Sequence, residues 1–313
     1  MVAAKALGLD LVLWRGADGT VNCLEDRCPH RGAPLSRGEV QGGTVACVYH
    51  GLTVDGSGVI QKVPALRGCV HEGKKAVRAF TVREHADGVF VYFPSAANPD
   101  PIPLTLPFEL TGEDYASFLT TGVWACNYRY ALENLADPMH GIYLHASSFT
   151  LSGGLKEDTV EMTTTAEGFT VARVAQQGDN FDWVEIVTEA GIDYARVNIP
   201  YPPGAGPGGI MRVISFATPI DETSTRIFFW RCRQVQGLAR EAWRFLFRAA
   251  LEPRHWEVLE QDRVMLEAMP DDARDHELLY QHDIGVTRLR QILAKRAKLQ
   301  IEGEDQAATQ PVN

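Results

Sequence analysis

Four residues between positions 28 and 50 carry the sharpest chemical signal in the sequence. Cys28-Pro29-His30 is followed, after sixteen residues, by Cys47-Val48-Tyr49-His50. Two thiolates and two imidazoles from paired loops make a tetrahedral ligand set for zinc. Common zinc modules, however, pair Cys with Cys and His with His, whereas each loop here supplies one of each. That pairing suits a two-iron cluster in which one iron takes both sulfurs and the other both histidines. Neutral imidazoles in place of two thiolates leave such a cluster less negative, so its potential lies above that of all-cysteine clusters. A zinc site, or four core residues, is the alternative. Cys23, Cys69, Cys126 and Cys232 have no metal spacing and read as small buried hydrophobes.

A second stretch, Asn134-Leu135-Ala136-Asp137-Pro138-Met139-His140, runs on to His145. Two histidines with a later carboxylate compose the facial triad of a non-haem Fe(II) oxygenase, which leaves coordination positions open for O2 and substrate. Positions i and i+5 lie about 140° apart on a regular helix. The pair therefore converges only across a break or a π-bulge, and Gly141 is the expected place. Taken alone, two histidines on a helix are equally well surface or core residues.

Together the two stretches resemble a known family. Cys28-Pro29-His30-Arg31-Gly32 and Cys47-Val48-Tyr49-His50-Gly51 are similar to the Rieske [2Fe-2S] motif. Gly42-Gly43 before the second loop and the Asp55-Gly56-Ser57-Gly58 turn after it also fit. Asn134-x-x-Asp137-x-x-His140-x4-His145 resembles the mononuclear-iron motif of Rieske non-haem iron oxygenase α subunits, and it follows the first motif in the family's order. The resemblance implies that Cys28, His30, Cys47 and His50 hold the cluster and that His140 and His145 bind Fe(II). The family's third ligand is an Asp on a late helix; Glu260 to Ala268 matches that element with Asp262 at the ligand position, and Glu257, Glu260 and Glu267 are competing carboxylates. By the same resemblance Asn134 and Asp137 belong to the catalytic machinery. Within one chain of the family the two centres sit too far apart for fast electron transfer. Subunits form a ring, usually a homotrimer, and by motif position Asp137 links His140 of its own chain to His50 of the next. The plainer alternative makes Asp137 a helix N-cap with Pro138 at the first helical position.

The resemblance covers nearly the whole chain and is strongest to the branch of O- and N-demethylases and related monooxygenases typified by vanillate O-demethylase oxygenase. In that branch further residues precede the first strand, whereas this chain opens almost directly at Val2 to Leu7. The implied function is that of a terminal oxygenase component. It would use O2 and electrons from a separate NAD(P)H-dependent reductase, with or without a ferredoxin, to hydroxylate or demethylate a small aromatic substrate. Aromatic-ring cis-dihydroxylation and alkyl or amine hydroxylation use the same iron. A Rieske electron carrier without turnover is the non-enzymatic rival, and His140, His145 and Asp262 speak against it.

The elements that must position these residues divide into two regions. Residues 1–95 carry 11 basic and 9 acidic side chains, the remainder 19 and 31. Five prolines between Pro94 and Pro107 mark a linker. The expected organisation is an all-β Rieske domain over 1–95, a linker over 96–107, a catalytic domain over 108–300 and a tail over 301–313. Three hairpins are legible in the first region: Leu7–Trp14 with Thr20–Leu24, Leu52–Val54 with Val59–Val63, and Val77–Arg83 with Val89–Phe93. The second region mixes strands near 160–164, 169–175, 181–188, 210–217 and 225–231 with helices near 130–143, 238–251, 254–268 and 281–299. The fold class is therefore α+β, and the family resemblance implies an antiparallel sheet with helices of helix-grip type in the catalytic domain. Phe181, Trp183, Phe216, Phe228 and Trp230 either line an apolar pocket or fill the core.

Composition narrows the partners. A formal charge of -10 argues against nucleic acid. No run of 18 apolar residues offers a membrane span, and six unevenly spaced cysteines make no disulfide scaffold, so a reduced cytoplasmic setting is expected. Gly204-Ala205-Gly206-Pro207-Gly208-Gly209 satisfies G-x-G-x-x-G, but prolines precede it and a β-like run follows, so it reads as a loop rather than a dinucleotide site. The slight positive balance of the first region, with Lys74, Lys75, Arg78 and Arg83, suits either an acidic electron donor or an ordinary solvated face.

Overall fold

Strand parity and turn chemistry build the first unit, Met1–Pro101. The computed structural model describes every residue except 97, 149–150, 153–154, 176–180, 182, 189–191, 202–208, 271 and 309–313. Nine strands follow in order: β1 (Val2–Ala6), β2 (Leu9–Arg15), β3 (Val21–Glu25), β4 (Glu39–Gln41), β5 (Thr44–Ala46), β6 (Thr53–Asp55), β7 (Ile60–Lys62), β8 (Ala79–His85) and β9 (Gly88–Tyr92). They form a five-stranded sheet, β1-β2-β3-β8-β9, and a four-stranded one, β4-β5-β6-β7. The three expected hairpins are β2/β3, β6/β7 and β8/β9. In the β6/β7 turn, the Asp55 carboxylate accepts from the Ser57 and Val59 backbone N–H groups at 2.9 and 3.0 Å. Gly58 there has φ +84°, and a Cβ would sit 2.0 Å from the Val77 carbonyl oxygen. β2 uses both its faces: Val12 and Trp14 pack with Leu24, Val54 and the two loop cysteines, while Leu11 packs with Cys23 and Phe80.

The second unit, Ile102–Asn313, is α+β. After α1 (Phe108–Thr111) come β10 (Tyr115–Trp124), α2 (Tyr128–Leu135) and α3 (His140–Leu144). Then follow β11 (Val160–Thr164), β12 (Gly168–Arg173), β13 (Trp183–Val187), β14 (Tyr194–Tyr201), β15 (Gly209–Pro219) and β16 (Thr225–Gln234). The seven strands make one antiparallel sheet, β10-β16-β15-β14-β13-β12-β11. Its first strand thus pairs with its last, Tyr115 opposite Gln234 and Trp124 opposite Thr225. β10 and β14 escape the sequence patterning. Three helices close the unit: α4 (Gly237–Leu246), α5 (Glu252–Glu267), joined to α4 by a π-helical turn at Phe247–Leu251, and α6 (Ile284–Ala308).

The helices cover one face of the sheet, where Leu132, Trp243, Leu259 and Leu289 meet Val171, Val184, Val197, Val213 and Phe229. On the opposite face Glu109 of α1 is almost fully buried and binds Arg196 at 2.8 Å and Arg212 at 3.2 Å.

Two expectations about helices need correction. Residues 130–143 do not form one helix, because α2 ends at Leu135 and the chain restarts helically only at His140. Pro138 explains the gap: it bars the helical conformation at Asp137 and brings no N–H of its own. Residues 301–308, expected in a loose tail, continue α6. The glycine-rich stretch at 204–208 lies outside the described residues, and Gly209 opens β15.

Candidate metal centres

The two loops of the first unit are built alike. The Cys28 N–H donates to the Ala33 carbonyl, and its own carbonyl accepts from Gly32 N–H at 2.9 Å. In the second loop Cys47 N–H donates to Leu52, and the Cys47 carbonyl accepts from Gly51 N–H at 2.9 Å. Gly32 and Gly51 adopt φ +75° and +73°, a left-handed turn that closes each loop and favours glycine. The loops bring His30 and His50 together, Nδ1 to Nδ1 3.2 Å with ring centroids 4.5 Å apart. Cys28 and Cys47 are buried in the core, whereas both histidines are exposed. Burial pushes the Cys28 thiol up, although the His30 N–H works the other way, so a bound cation is what ionises such a sulfur. Two buried sulfurs beneath two exposed imidazoles fit an asymmetric cluster with its histidine-bound iron toward the surface.

The remaining cysteines behave mostly as expected. Cys23, Cys126 and Cys232 are buried, and burial pushes the first two thiols up to about 12 and about 11. Cys69 departs from that pattern, being only half-buried.

In the second unit His140, His145 and Asp262 each offer one ligand atom, and these atoms lie within 4.8 Å of one another. His145 Nε2 is 3.3 Å and His140 Nε2 3.6 Å from Asp262 Oδ1. Among the described residues this is the one such cluster of three or more His, Cys, Asp or Glu groups. Convergence is not achieved by a bulge at Gly141. His140 instead opens α3, and His145, the C-cap, has left helical geometry at φ -98°, ψ 34°. Gly141 serves packing, since a Cβ there would lie 2.7 Å from Phe181 Cδ1.

Neighbours orient each ligand. Gln261 Oε1 accepts from His145 Nδ1 at 2.9 Å and its amide donates to Ser147 Oγ, which turns His145 Nε2 toward Asp262. Asn134 donates to Asp262 Oδ1 at 3.2 Å. His140 Nδ1 donates to the Asp137 carbonyl oxygen at 2.6 Å, while the Asp137 carboxylate stands 3.6 Å away. That carboxylate accepts from the Met139 and His140 N–H groups at 2.6 and 3.2 Å, so it caps α3. Burial raises the Asp137 carboxyl, but His140 and these N–H groups outweigh it and hold it below the usual range. Gln261 and Ser147 escaped the sequence reading; only their adjacency to Asp262 and His145 could have pointed to them.

The competing carboxylates are engaged elsewhere or differently placed. Glu260 and Glu267 both pair with Arg263, and Glu267 also accepts from Ala125 N–H. Glu257 lines the same cavity as Asp262 but is exposed.

That cavity, about 420 Å³, has the triad in its wall and an apolar lining from Leu151, Phe181, Val197, Ile199, Val213 and Phe229. Of the aromatic residues expected there, only Phe181 lines it. Trp183, Phe216, Phe228 and Trp230 belong to the other parity of their strands, and Phe229 takes the position instead.

Comparison with known proteins matches both units. The Rieske [2Fe-2S] domain model matches residues 1–81, and the vanillate O-demethylase oxygenase C-terminal domain model matches residues 124–299. A vanillate O-demethylase oxygenase subunit from Pseudomonas sp. (strain ATCC 19151) is 39% identical over 161 residues, 50% of this chain and 46% of that protein. A 4beta-methylsterol monooxygenase from Methylococcus capsulatus is 31% identical over 234 residues, 71% of this chain and 61% of its own. The chain spans about half the length of the curated vanillate O-demethylase relatives it matches. A crystal structure of dicamba monooxygenase bound to dicamba superposes with a TM-score of 0.74 at 21% identity, covering 96% of this chain and 93% of that one, and so shares the fold. With both of its units matched in order, the chain belongs to the family that joins a Rieske [2Fe-2S] domain to a vanillate O-demethylase oxygenase C-terminal domain.

Proposed function

We propose that the protein is the terminal oxygenase component of a Rieske non-haem iron system, taking electrons from a separate reductase and hydroxylating or demethylating a small aromatic substrate. The observation that carries this reading is the convergence of His140, His145 and Asp262 at the wall of an apolar cavity of about 420 Å³. Two neutral nitrogens and one carboxylate on one side of a metal are the donor set that suits Fe(II) with open positions. Fe(II) held there would supply O2 activation beside the substrate, and Cys28, His30, Cys47 and His50 would hold a two-iron cluster that supplies electron storage.

The chain's own residues do the rest. Val197, Val213 and Phe229 present an apolar bed that excludes water from the reacting end of the substrate. Gln261 keeps the His145 proton on Nδ1, and Asn134 steadies Asp262. In this reading residues 1–95 are the electron-receiving unit and 108–300 the catalytic unit. Asp137 then has two tasks, capping α3 and orienting His140, and in a homotrimer its carboxylate reaches His50 of a neighbouring copy. No helix among the described residues is long and apolar enough to cross a membrane; a cytoplasmic location belongs to the proposal.

Metal analysis of anaerobically purified protein tests it. About three irons and two acid-labile sulfides per chain are expected. Two irons in a protein that still turns over methoxyarenes with NADH, reductase and O2 would refute the second centre. Cys47→Ala is expected to remove the sulfide and the visible spectrum.

A further inference from the structure

We propose that Arg290 of α6 is a positioning residue for the second metal centre. Its ion pair with Glu133 sets the rotation of α2, and α2 carries the amide that holds Asp262. This inference rests on the metal-centre reading of His140, His145 and Asp262, and it adds a residue that lies outside the cavity lining.

Glu133 lies on α2 and is buried to 8% exposure. Arg290 meets it with two prongs: Nε donates to Oε1 at 3.0 Å and Nη2 to Oε2 at 2.7 Å. Arg274 also donates to Oε1, and its guanidinium lies 5.4 Å from the centroid of the Tyr130 ring, one turn earlier on α2. Glu277 completes the set, accepting from Arg290 Nη2 at 2.9 Å. Two carboxylates and two guanidiniums balance in charge, and a two-pronged pair fixes direction as well as distance. The cluster is therefore a brace between α2 and α6. Gly285, five residues before Arg290, shows how closely the two helices meet: a Cβ there would lie 2.7 Å from the Ala136 carbonyl oxygen.

Consecutive side chains on a helix diverge by about 100°. Glu133 accordingly faces α6 while Asn134 faces α5, where its Nδ2 donates to Asp262 Oδ1 at 3.2 Å. That oxygen is the one 3.3 Å from His145 Nε2 and 3.6 Å from His140 Nε2. Side-chain ends lie about 5–6 Å from a helix axis, so turning α2 by about 10° carries the Asn134 amide about 1 Å. A 3.2 Å contact lengthened that far is no longer a hydrogen bond, and Asp262 loses the donor that orients it. A second route runs through the end of α2. Ala136, which Gly285 abuts, leads into Asp137, whose carbonyl oxygen accepts from His140 Nδ1 at 2.6 Å. The brace thus bears on two of the three metal-site side chains.

The test is Co(II) binding to the full chain with its cluster oxidised and its mononuclear metal removed by a chelator. Equilibrium dialysis reads the affinity, low-temperature electron paramagnetic resonance of high-spin Co(II) reads the geometry, and Asp262→Ala is the blank. A direct partner of a metal ligand is worth about 10- to 100-fold in affinity, and Arg290 acts one residue further out. Arg290→Met is therefore expected to weaken Co(II) binding at least about threefold and to shift its resonance. Val184→Ala shortens a buried side chain of β13 in the same core and is expected to lower stability with Co(II) affinity kept within about threefold. In an Asn134→Ala background, Arg290→Met is expected to add less than about twofold, because the amide it acts through is gone. If Arg290→Met fails to fold, Glu133→Gln and Gly285→Ala run the same comparison. A smaller loss than threefold, an equal loss in Val184→Ala, or a full loss on top of Asn134→Ala each overturns the positioning role. Wild type that takes up no more Co(II) than the blank defeats the metal-centre reading itself. Equal Co(II) binding by wild type and Arg290→Met leaves that reading and defeats this one.

Discussion

Gly141→Ala tests how the two histidines of the candidate metal site are brought together. A Cβ at this position would lie 2.7 Å from Phe181 Cδ1 and 3.3 Å from Cε1, against an ordinary carbon contact of about 3.5–4.0 Å. Phe181 is buried, lines the cavity and meets the His140 ring edge-on at 5.9 Å. It must therefore move by about 1 Å toward the open side, into the substrate's space. Overpacking of this kind costs about 1–3 kcal/mol, and the better helix propensity of Ala returns at most about 1 kcal/mol. A net loss of about 1 kcal/mol in chemical denaturation is expected, with a raised KM for any substrate that stimulates O2 uptake. In a Phe181→Leu background the steric conflict disappears, and Gly141→Ala becomes neutral or stabilising. The double-mutant cycle reads that coupling directly. If Gly141→Ala destabilises equally in both backgrounds, the glycine is present for backbone freedom and the packing argument is wrong.

Three further outcomes follow from the site. Asp262→Ala is expected to keep the Rieske visible spectrum and two irons per chain while losing the third iron and turnover; Glu267→Ala, which loses an Arg263 pair and a bond to Ala125 N–H, is expected to keep all three. Asp137→Asn preserves a cap of equal rank on α3 and hence folding, yet is expected to cut turnover at least tenfold in reductase-coupled assays with both metal sites loaded; a near-wild-type rate reduces Asp137 to a cap. Burial and the Arg231 charge keep His255 neutral in the folded chain down to about pH 3, whereas the unfolded chain takes up its proton near pH 6.5. Its contribution is whole above pH 6.5 and falls below it, by about 1.4 kcal/mol between pH 7.5 and 5.5. His255→Gln should lose that much less over the same interval, and an identical acid sensitivity in both proteins counts against the assignment.

Sequence patterning located the features in which chemistry is local. A loop that presents Cys and His two or three residues apart and then reverses needs those residue types and a glycine at the turn, so Cys28 to Gly32 and Cys47 to Gly51 are legible in one dimension. The same is true of His140 and His145, whose spacing lies within one short segment. Hairpins such as β6/β7 are announced by Asp55-Gly56-Ser57-Gly58, because the turn's hydrogen bonds are made within it. The patterning failed where partners are distant. Nothing in Tyr115–Trp124 reveals that it pairs with β16, since its strand partner lies a hundred residues on.

Parity was the finer casualty. Phe228, Phe229 and Trp230 are consecutive, and a strand sends alternate side chains to opposite faces. Which of them faces the cavity depends on which face the helices cover, and that is a property of the packed unit. Four of the five carboxylates of α5 pose the same question. Glu257, Glu260, Asp262 and Glu267 share one helix, and its direction against α2 and α3 alone brings Asp262 to 3.3 Å from His145. The sequence by itself therefore determined the ligand types, the local turns and the order of the two units. The tertiary structure decided which carboxylate joins the two histidines and which aromatic side chain lines the cavity, because both depend on the distance between residues that the chain places far apart.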